Sequence, residues 1–207
     1  MDSLISDALT SSTMLCNNRF PLPGSPSTCT LDTVIVPLPS FLFLVALTIH
    51  SFLRRTPNEH SLRIRKWLHI AYLVLLGAQI AMTILELVRL GLENLGVGLL
   101  PVNTLGLLCA FIVLLRERVH GRSRTLLPIF VAYWLFELVV EAVKTARLNK
   151  LQQVDPTTSK DSKYPSSDWF LDNAVMLALY CIFCVTEISV LFVSPRRRFD
   201  ALEMQKL

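Results

Sequence analysis

Charged side chains inside long apolar stretches are the residues of this chain best suited to chemistry. Glu137, Glu141 and Lys144 occur at positions i, i+4 and i+7 of one such stretch, so on a helix they share one face. That spacing also predicts an ion pair between Glu141 and Lys144 within the helix. A charge in the middle of a bilayer costs at least about 2.5–3.5 kcal/mol, and such residues usually face protein or water. The pattern therefore indicates either a proton or cation pathway or a set of contacts between helices.

Polar residues of the same kind interrupt two other apolar stretches. Gln79, Glu86 and Arg89 follow one another along the second stretch, while Asp172 and Glu187 lie in the fifth. We interpret all of these residues as interhelical or partner-facing polar groups, since such contacts contribute about 0.6 kcal/mol each, and up to about 1.7 kcal/mol, in membrane bundles. The alternative is a small independent channel or transporter that uses the buried carboxylates of the fourth and fifth stretches.

Motifs of catalytic and cofactor sites are not found in the sequence. It holds no phosphate-binding P-loop, no His-Glu-x-x-His and no Gly-x-Ser-x-Gly. Cys181 and Cys184 form an i, i+3 pair without nearby His in the sequence, which favours helix packing over a metal site. A lipid-modifying enzyme is a third hypothesis, but His50 and His69, near one boundary, lack an acidic motif. We expect no enzyme, no cofactor, no metal and no ATP binding by this chain alone.

The elements that must position these residues are five apolar stretches. They cover residues 34–53, 67–89, 96–115, 125–146 and 169–194. Each is long enough, at about 1.5 Å per residue, to cross a hydrocarbon core of about 30 Å. The chain is 52% hydrophobic and 17% charged, against about 25% charged in a typical soluble domain. The sequence predicts an all-α integral membrane protein, a five-transmembrane-helix bundle at 34–194 with a tail at 1–33, and Pro195 opening a basic stub at 195–207.

Lys and Arg residues beside the spans predict the orientation, because such residues tend to remain cytoplasmic. Most of them lie in the first connection, the third connection and the carboxyl-terminal stub. This basic rim comprises Arg54, Arg55, Arg63, Arg65, Lys66, Arg116, Arg118, Arg122, Arg124, Arg196, Arg197 and Arg198. We place the amino terminus outside or in a lumen and the carboxyl terminus in the cytoplasm. Since the basic residues flank spans, we expect contact with the lipid bilayer and none with nucleic acid.

Two cysteines lie in the amino-terminal tail, on the predicted exported side. Cys16 and Cys29 flank a proline-rich turn, and an exported compartment permits them to form a disulfide. On the loop-entropy model, such a closure contributes roughly 3 kcal/mol. The alternative is two unpaired thiols in the tail.

Two runs of residues, together with the two-cysteine tail and the five spans, resemble a known type of membrane domain. The runs are Arg124-Thr125-Leu126-Leu127-Pro128 leading to Tyr133-Trp134, and the stretch 166–176 around Asp168-Trp169-Phe170-Leu171-Asp172. The first is similar to the fourth span, and the second to the entry of the fifth span in fungal members, of the amino-terminal accessory domain (transmembrane domain zero) of subfamily C ABC transporters. The whole chain resembles this domain, which multidrug-resistance-associated proteins and sulfonylurea receptors share.

The resemblance implies a non-catalytic accessory domain that acts in trafficking, retention or partner docking, and is associated with transmembrane transport. The partner it implies is an ABC transporter core or another membrane protein. In the family, the tail cysteines support folding and export, a role that would pass to Cys16 and Cys29. Family members continue into two six-helix bundles and two ATP-binding domains, so we expect this chain to be a stand-alone relative, a truncated gene product or an excised domain. The expected location is the plasma membrane, the vacuole or the endoplasmic reticulum.

Overall fold

The computed structural model describes residues 35–53, 66–92, 99–120, 125–154 and 166–204. Each of these ranges is a helix with at most a short leading turn, and none of them contains a strand. The five helices are α1 (Leu38–Leu53), α2 (Lys66–Leu92), α3 (Leu100–His120), α4 (Leu126–Val154) and α5 (Ser166–Met204). The prediction of an all-α, five-helix fold is confirmed.

Four of the five helices are long and apolar enough to cross a membrane. Their apolar segments are Lys66–Arg89, Leu100–Glu117, Leu126–Arg147 and Phe170–Phe192. Helix α1 is apolar but has 16 residues, and at about 1.5 Å per residue it is shorter than a hydrocarbon core of about 30 Å. The chain is thus a multi-pass integral membrane protein, and α1 is the shortest of the five described helices.

The helices run beyond the apolar stretches from which they were predicted. Helix α4 continues to Val154, and α5 continues through Pro195 to Met204. An apolar stretch marks only the part of a helix that lies in lipid. The helix itself can continue into polar sequence when that sequence is rich in residues that favour a helix, such as Lys, Gln and Leu. Pro195 was expected to end the fifth span; the apolar segment of α5 ends at Phe192, while the helix itself continues through Pro195 to Met204.

Contacts between the helices follow a closed circuit. Helix α1 packs against α3 and α4, α2 packs against α3 and α5, and α4 packs against α5 more extensively than any other pair. The order around the circuit is therefore α1, α3, α2, α5, α4. Each helix presents one face to the inside of this ring.

Aromatic side chains fill the inside of the ring. Trp134 of α4 is fully buried, and its ring centroid lies 4.9 Å from that of Phe183 and 6.1 Å from that of Tyr180, both on α5. Phe43 of α1 stacks on Tyr133 of α4 at 4.1 Å. Aromatic pairs of this kind contribute about 0.5–1.5 kcal/mol beyond the area they bury. Because lipid is as apolar as these side chains, close packing is what holds the helices together.

Candidate functional site

The polar face of α4 points into the ring. Glu137 is 2% exposed and Glu141 is 3% exposed, while the side chain of Lys144 is 14% exposed. All three lie on the face that their spacing indicated. They take part in two separate groups of contacts, one turn of helix apart.

The first group, here called the Ser40 cluster, consists of Ser40, Asn103, Tyr133 and Glu137. Ser40 Oγ lies 2.6 Å from Asn103 Oδ1, 3.0 Å from Tyr133 Oη and 2.8 Å from Glu137 Oε1. All four residues are buried. The cluster joins α1, α3 and α4 at one point through hydroxyl, amide and carboxyl groups.

Gly106 of α3 provides the space that Ser40 occupies. A Cβ atom at position 106 would lie 2.5 Å from Ser40 Oγ, 2.6 Å from Ser40 Cβ and 3.1 Å from Tyr133 Oη. The first two separations are shorter than van der Waals contact, so any side chain there would displace α1 from α3. Gly77 of α2 differs, since a Cβ atom at that position meets nothing within 4 Å.

The second group, here called the Lys144 cluster, consists of Glu86, Glu141 and Lys144. Lys144 Nζ lies 2.6 Å from Glu86 Oε1 and 3.7 Å from Glu141 Oε1. Helices α2 and α4 are not neighbours in the circuit of main helix contacts, so the pair with Glu86 crosses the inside of the ring. One ammonium group is thus shared by two carboxylates, one from each helix.

An ion pair between α2 and α5 lies beyond the Lys144 cluster. Arg89 binds Asp172, and the two side chains are 21% and 30% exposed. A cavity of about 10 Å³ adjoins this pair, which is room for about one water molecule. Its walls are formed by Met82, Glu86, Arg89, Asp172, Asn173 and Met176.

Two further hydrogen bonds join α2 to its neighbours α5 and α3. Tyr72 Oη donates a hydrogen bond of 2.9 Å to Glu187 Oε1 of α5, which is fully buried. His69 Nε2 lies 3.0 Å from the backbone oxygen of Leu114 in α3. Gln79 is also fully buried and lies beside the Tyr180 hydroxyl. The distance and angles between the Gln79 amide and this hydroxyl are not those of a hydrogen bond.

The candidate polar residues named from the sequence all fall within the described helices. Glu86 meets Lys144, and Arg89 meets Asp172, which the sequence could not pair because each contact joins two helices. Sequence reasoning missed Ser40 and Asn103, although a hydroxyl or amide in an apolar stretch is itself a signal. Within the described ranges, no three His, Cys, Asp or Glu side chains are grouped as a metal site requires.

Several predicted features lie outside the described residues. These include the cysteine pair Cys16 and Cys29, and six residues of the basic rim, namely Arg54, Arg55, Arg63, Arg65, Arg122 and Arg124. Lys66 and Arg116 are described, and both are exposed. The remaining rim residues lie on helical backbone near the ends of α3 and α5.

A comparison with protein families gives one match. The family model described as the ABC transporter TMD0 domain matches residues 20–164, which is more than half of the chain. The matched range includes α1 to α4 and ends just before α5 begins. A comparison with curated proteins found no match.

Proposed function

Because this chain belongs to the ABC transporter TMD0 domain family, we propose that it is a non-catalytic accessory module that acts in trafficking, retention or docking of a transporter core. The observation that carries this proposal is that the inward polar side chains pair with side chains of other helices. Lys144 binds Glu86 across the ring, Tyr72 binds Glu187, and Arg89 binds Asp172. These groups bind one another, so they serve to fix the helices rather than to receive a substrate.

The inward carboxylates do not favour the alternative of an independent channel or transporter. Glu137, Glu141 and Glu187 are each at most 3% exposed, whereas groups that relay ions must meet water or the ion. A cation passing Glu141 would also meet the ammonium group of Lys144 at close range, and like charges repel. The contacts therefore support a structural use of these residues.

The outward surface offers apolar side chains to lipid or to a partner helix. Phe41 and Phe52 of α1 and Phe192 of α5 are among the exposed aromatic residues. We propose that the transporter core, or another membrane protein, contacts this apolar surface by close helix packing. The role of the basic rim is to set the orientation and to meet partner or lipid charges on the cytoplasmic side.

The proposed orientation places the amino terminus outside or in a lumen and the carboxyl terminus in the cytoplasm. Trp67, at the start of α2, is 84% exposed and follows the exposed Lys66. Tryptophan is enriched at membrane surfaces, and Lys at the cytoplasmic one. These neighbours support a cytoplasmic start for α2.

Co-expression with a transporter core tests the proposed function. The chain would be produced in cells together with a subfamily C ABC transporter core that lacks its own accessory domain. We expect the chain to co-purify with the core in mild detergent and to raise the fraction of core at its destination membrane. A chain that is folded and inserted, yet neither co-purifies nor changes the distribution of the core, would contradict the proposal.

A further inference from the structure

The hydrogen atoms in the Ser40 cluster do not suffice if Glu137 is ionised. A serine hydroxyl has one hydrogen to donate and two lone pairs to accept with. Ser40 Oγ contacts Asn103 Oδ1, Tyr133 Oη and Glu137 Oε1 at 2.6–3.0 Å. An amide oxygen and an ionised carboxylate both only accept, and Ser40 can donate to just one of them. The other contact would then bring two acceptor oxygens together without a hydrogen.

Two arrangements supply the missing hydrogen. Asn103 can present its Nδ2 instead of its Oδ1, since these atoms are distinguished only by their hydrogen bonds. Alternatively, Glu137 carries a proton and donates it to Ser40 Oγ, which then donates to Asn103 Oδ1. In both arrangements Tyr133 donates its hydrogen to Ser40 or to Glu137.

Charge favours the arrangement in which Glu137 holds the proton. The titratable side chains around Glu137 are Cys109 of α3, Tyr133, Glu141 and Lys144 of α4, and Tyr180 of α5. Lys144 is the cation among them, and it binds Glu86 and Glu141. An ionised Glu137 would be a buried negative charge whose hydrogen-bond partners are all uncharged, which is costly in a membrane interior.

We propose that the junction of α1, α3 and α4 is a proton-binding site, in which protonated Glu137 donates a hydrogen bond to Ser40 Oγ. The bound proton completes the chain of donors from Glu137 through Ser40 to Asn103. It also neutralises the carboxyl group that lies nearest to α1.

The proton has a structural consequence for α1. Ser40 makes the side-chain hydrogen bonds that join described residues of α1 to other helices. Thr48 and Ser51 bind backbone oxygens of their own helix instead. Removing the proton would leave a buried negative charge beside α1, and Asn103 would have to turn its Nδ2 toward Ser40 to supply the missing hydrogen, so the attachment of α1 would weaken.

Infrared spectroscopy of the full chain in lipid nanodiscs tests this site directly. A protonated carboxyl group has a C=O stretching band that is separate from the carboxylate bands and shifts in D₂O. At neutral pH we expect this band in the wild-type protein and in Glu141→Gln, and we expect Glu137→Gln to remove it. The absence of such a band from the wild-type protein would overturn the proposal without any variant, as would its loss in Glu141→Gln alone.

Thermal unfolding of the same samples gives a second readout. The amide group of Glu137→Gln is uncharged and can donate a hydrogen to Ser40 as the protonated carboxyl does. We therefore expect the unfolding midpoint of Glu137→Gln to equal that of the wild-type protein. An ionised Glu137 would instead lose a charge-assisted hydrogen bond in this variant, so a clearly lowered midpoint together with no carboxyl band would contradict the site.

Discussion

The Ser40 cluster and the Lys144 cluster lie on one face of α4 but join helices in different ways. The Ser40 cluster joins α1, α3 and α4 through hydrogen bonds of 2.6–3.0 Å, and its geometry depends on the missing side chain of Gly106. The Lys144 cluster joins α2 and α4 through one ammonium and two carboxylates. Shape therefore decides the first contact and charge the second, so the two clusters should respond to different substitutions.

The largest expected effect is that of Lys144→Met. The variant leaves Glu86 and Glu141 without the cation that they share, and breaking a buried ion pair from one side costs about 3–5 kcal/mol. We expect a loss of that size in the free energy of unfolding, measured by denaturant titration in mixed micelles. The exposed Lys66 offers the matched control Lys66→Met, which should change little. Equal losses for the two variants would show that Lys144 is not part of a buried ion pair.

Gly106→Ala tests the shape of the Ser40 cluster. A Cβ atom there would lie 2.5 Å from Ser40 Oγ, and overpacking of this kind costs about 1–3 kcal/mol. Gly77→Ala is the control, because its Cβ atom meets nothing within 4 Å and alanine favours a helix by up to about 1 kcal/mol. We expect the first substitution to lower the unfolding midpoint and the second to leave it unchanged or raise it. A midpoint that is lower for Gly77→Ala than for Gly106→Ala would contradict close contact between α1 and α3 at Gly106.

Ser40→Ala should have a smaller effect than Gly106→Ala. The substitution removes one hydroxyl, but Tyr133 and Glu137 can still bind each other, so the expected loss is about 1 kcal/mol, the net value of one hydrogen bond. Ser189→Ala is a control, since Ser189 is exposed and its hydroxyl binds Val185 of the same helix. Thermal unfolding measures the midpoints of both variants. If the midpoint of Ser40→Ala were as high as that of Ser189→Ala, the Ser40 hydroxyl would not contribute to stability.

The smallest expected effect concerns the pair of Arg89 and Asp172. Both side chains are partly exposed, and pairs in contact with water contribute about 0.2–1 kcal/mol. A double-mutant cycle with Arg89→Ala and Asp172→Ala should give a coupling energy in that range. A coupling energy as large as the loss in unfolding free energy of Lys144→Met would contradict this and would show that the pair is shielded from water.

The sequence predicted the helices better than the contacts between them. Hydropathy identifies a stretch that must lie in lipid, and helical spacing places Glu137, Glu141 and Lys144 on one face. The pair of Glu141 and Lys144 follows from that spacing, yet the shorter contact of Lys144 is with Glu86 on another helix. Such a contact depends on how α2 and α4 are rotated, which a single-helix period does not determine.

The Ser40 cluster shows a second limit of prediction from sequence. Ser40 and Asn103 are uncharged, so a survey of ionisable residues passes over them. Gly106 is recognisable as important only when the space that a Cβ atom at position 106 would have beside Ser40 is known. The ends of α4 and α5 were also missed, because hydropathy records where lipid ends and not where the helix does.

Ion flux into liposomes tests most directly the claim that the inward polar groups fix the helices of an accessory domain. Purified full-length chain would be reconstituted with a proton-sensitive dye, and separately with a cation-sensitive dye, with an ionophore added last as a positive control. We predict that proton and cation flux equals that of empty liposomes, for both the wild-type protein and Glu141→Gln. Flux through the wild-type protein that Glu141→Gln abolishes would contradict it and would make the bundle a channel or transporter in its own right.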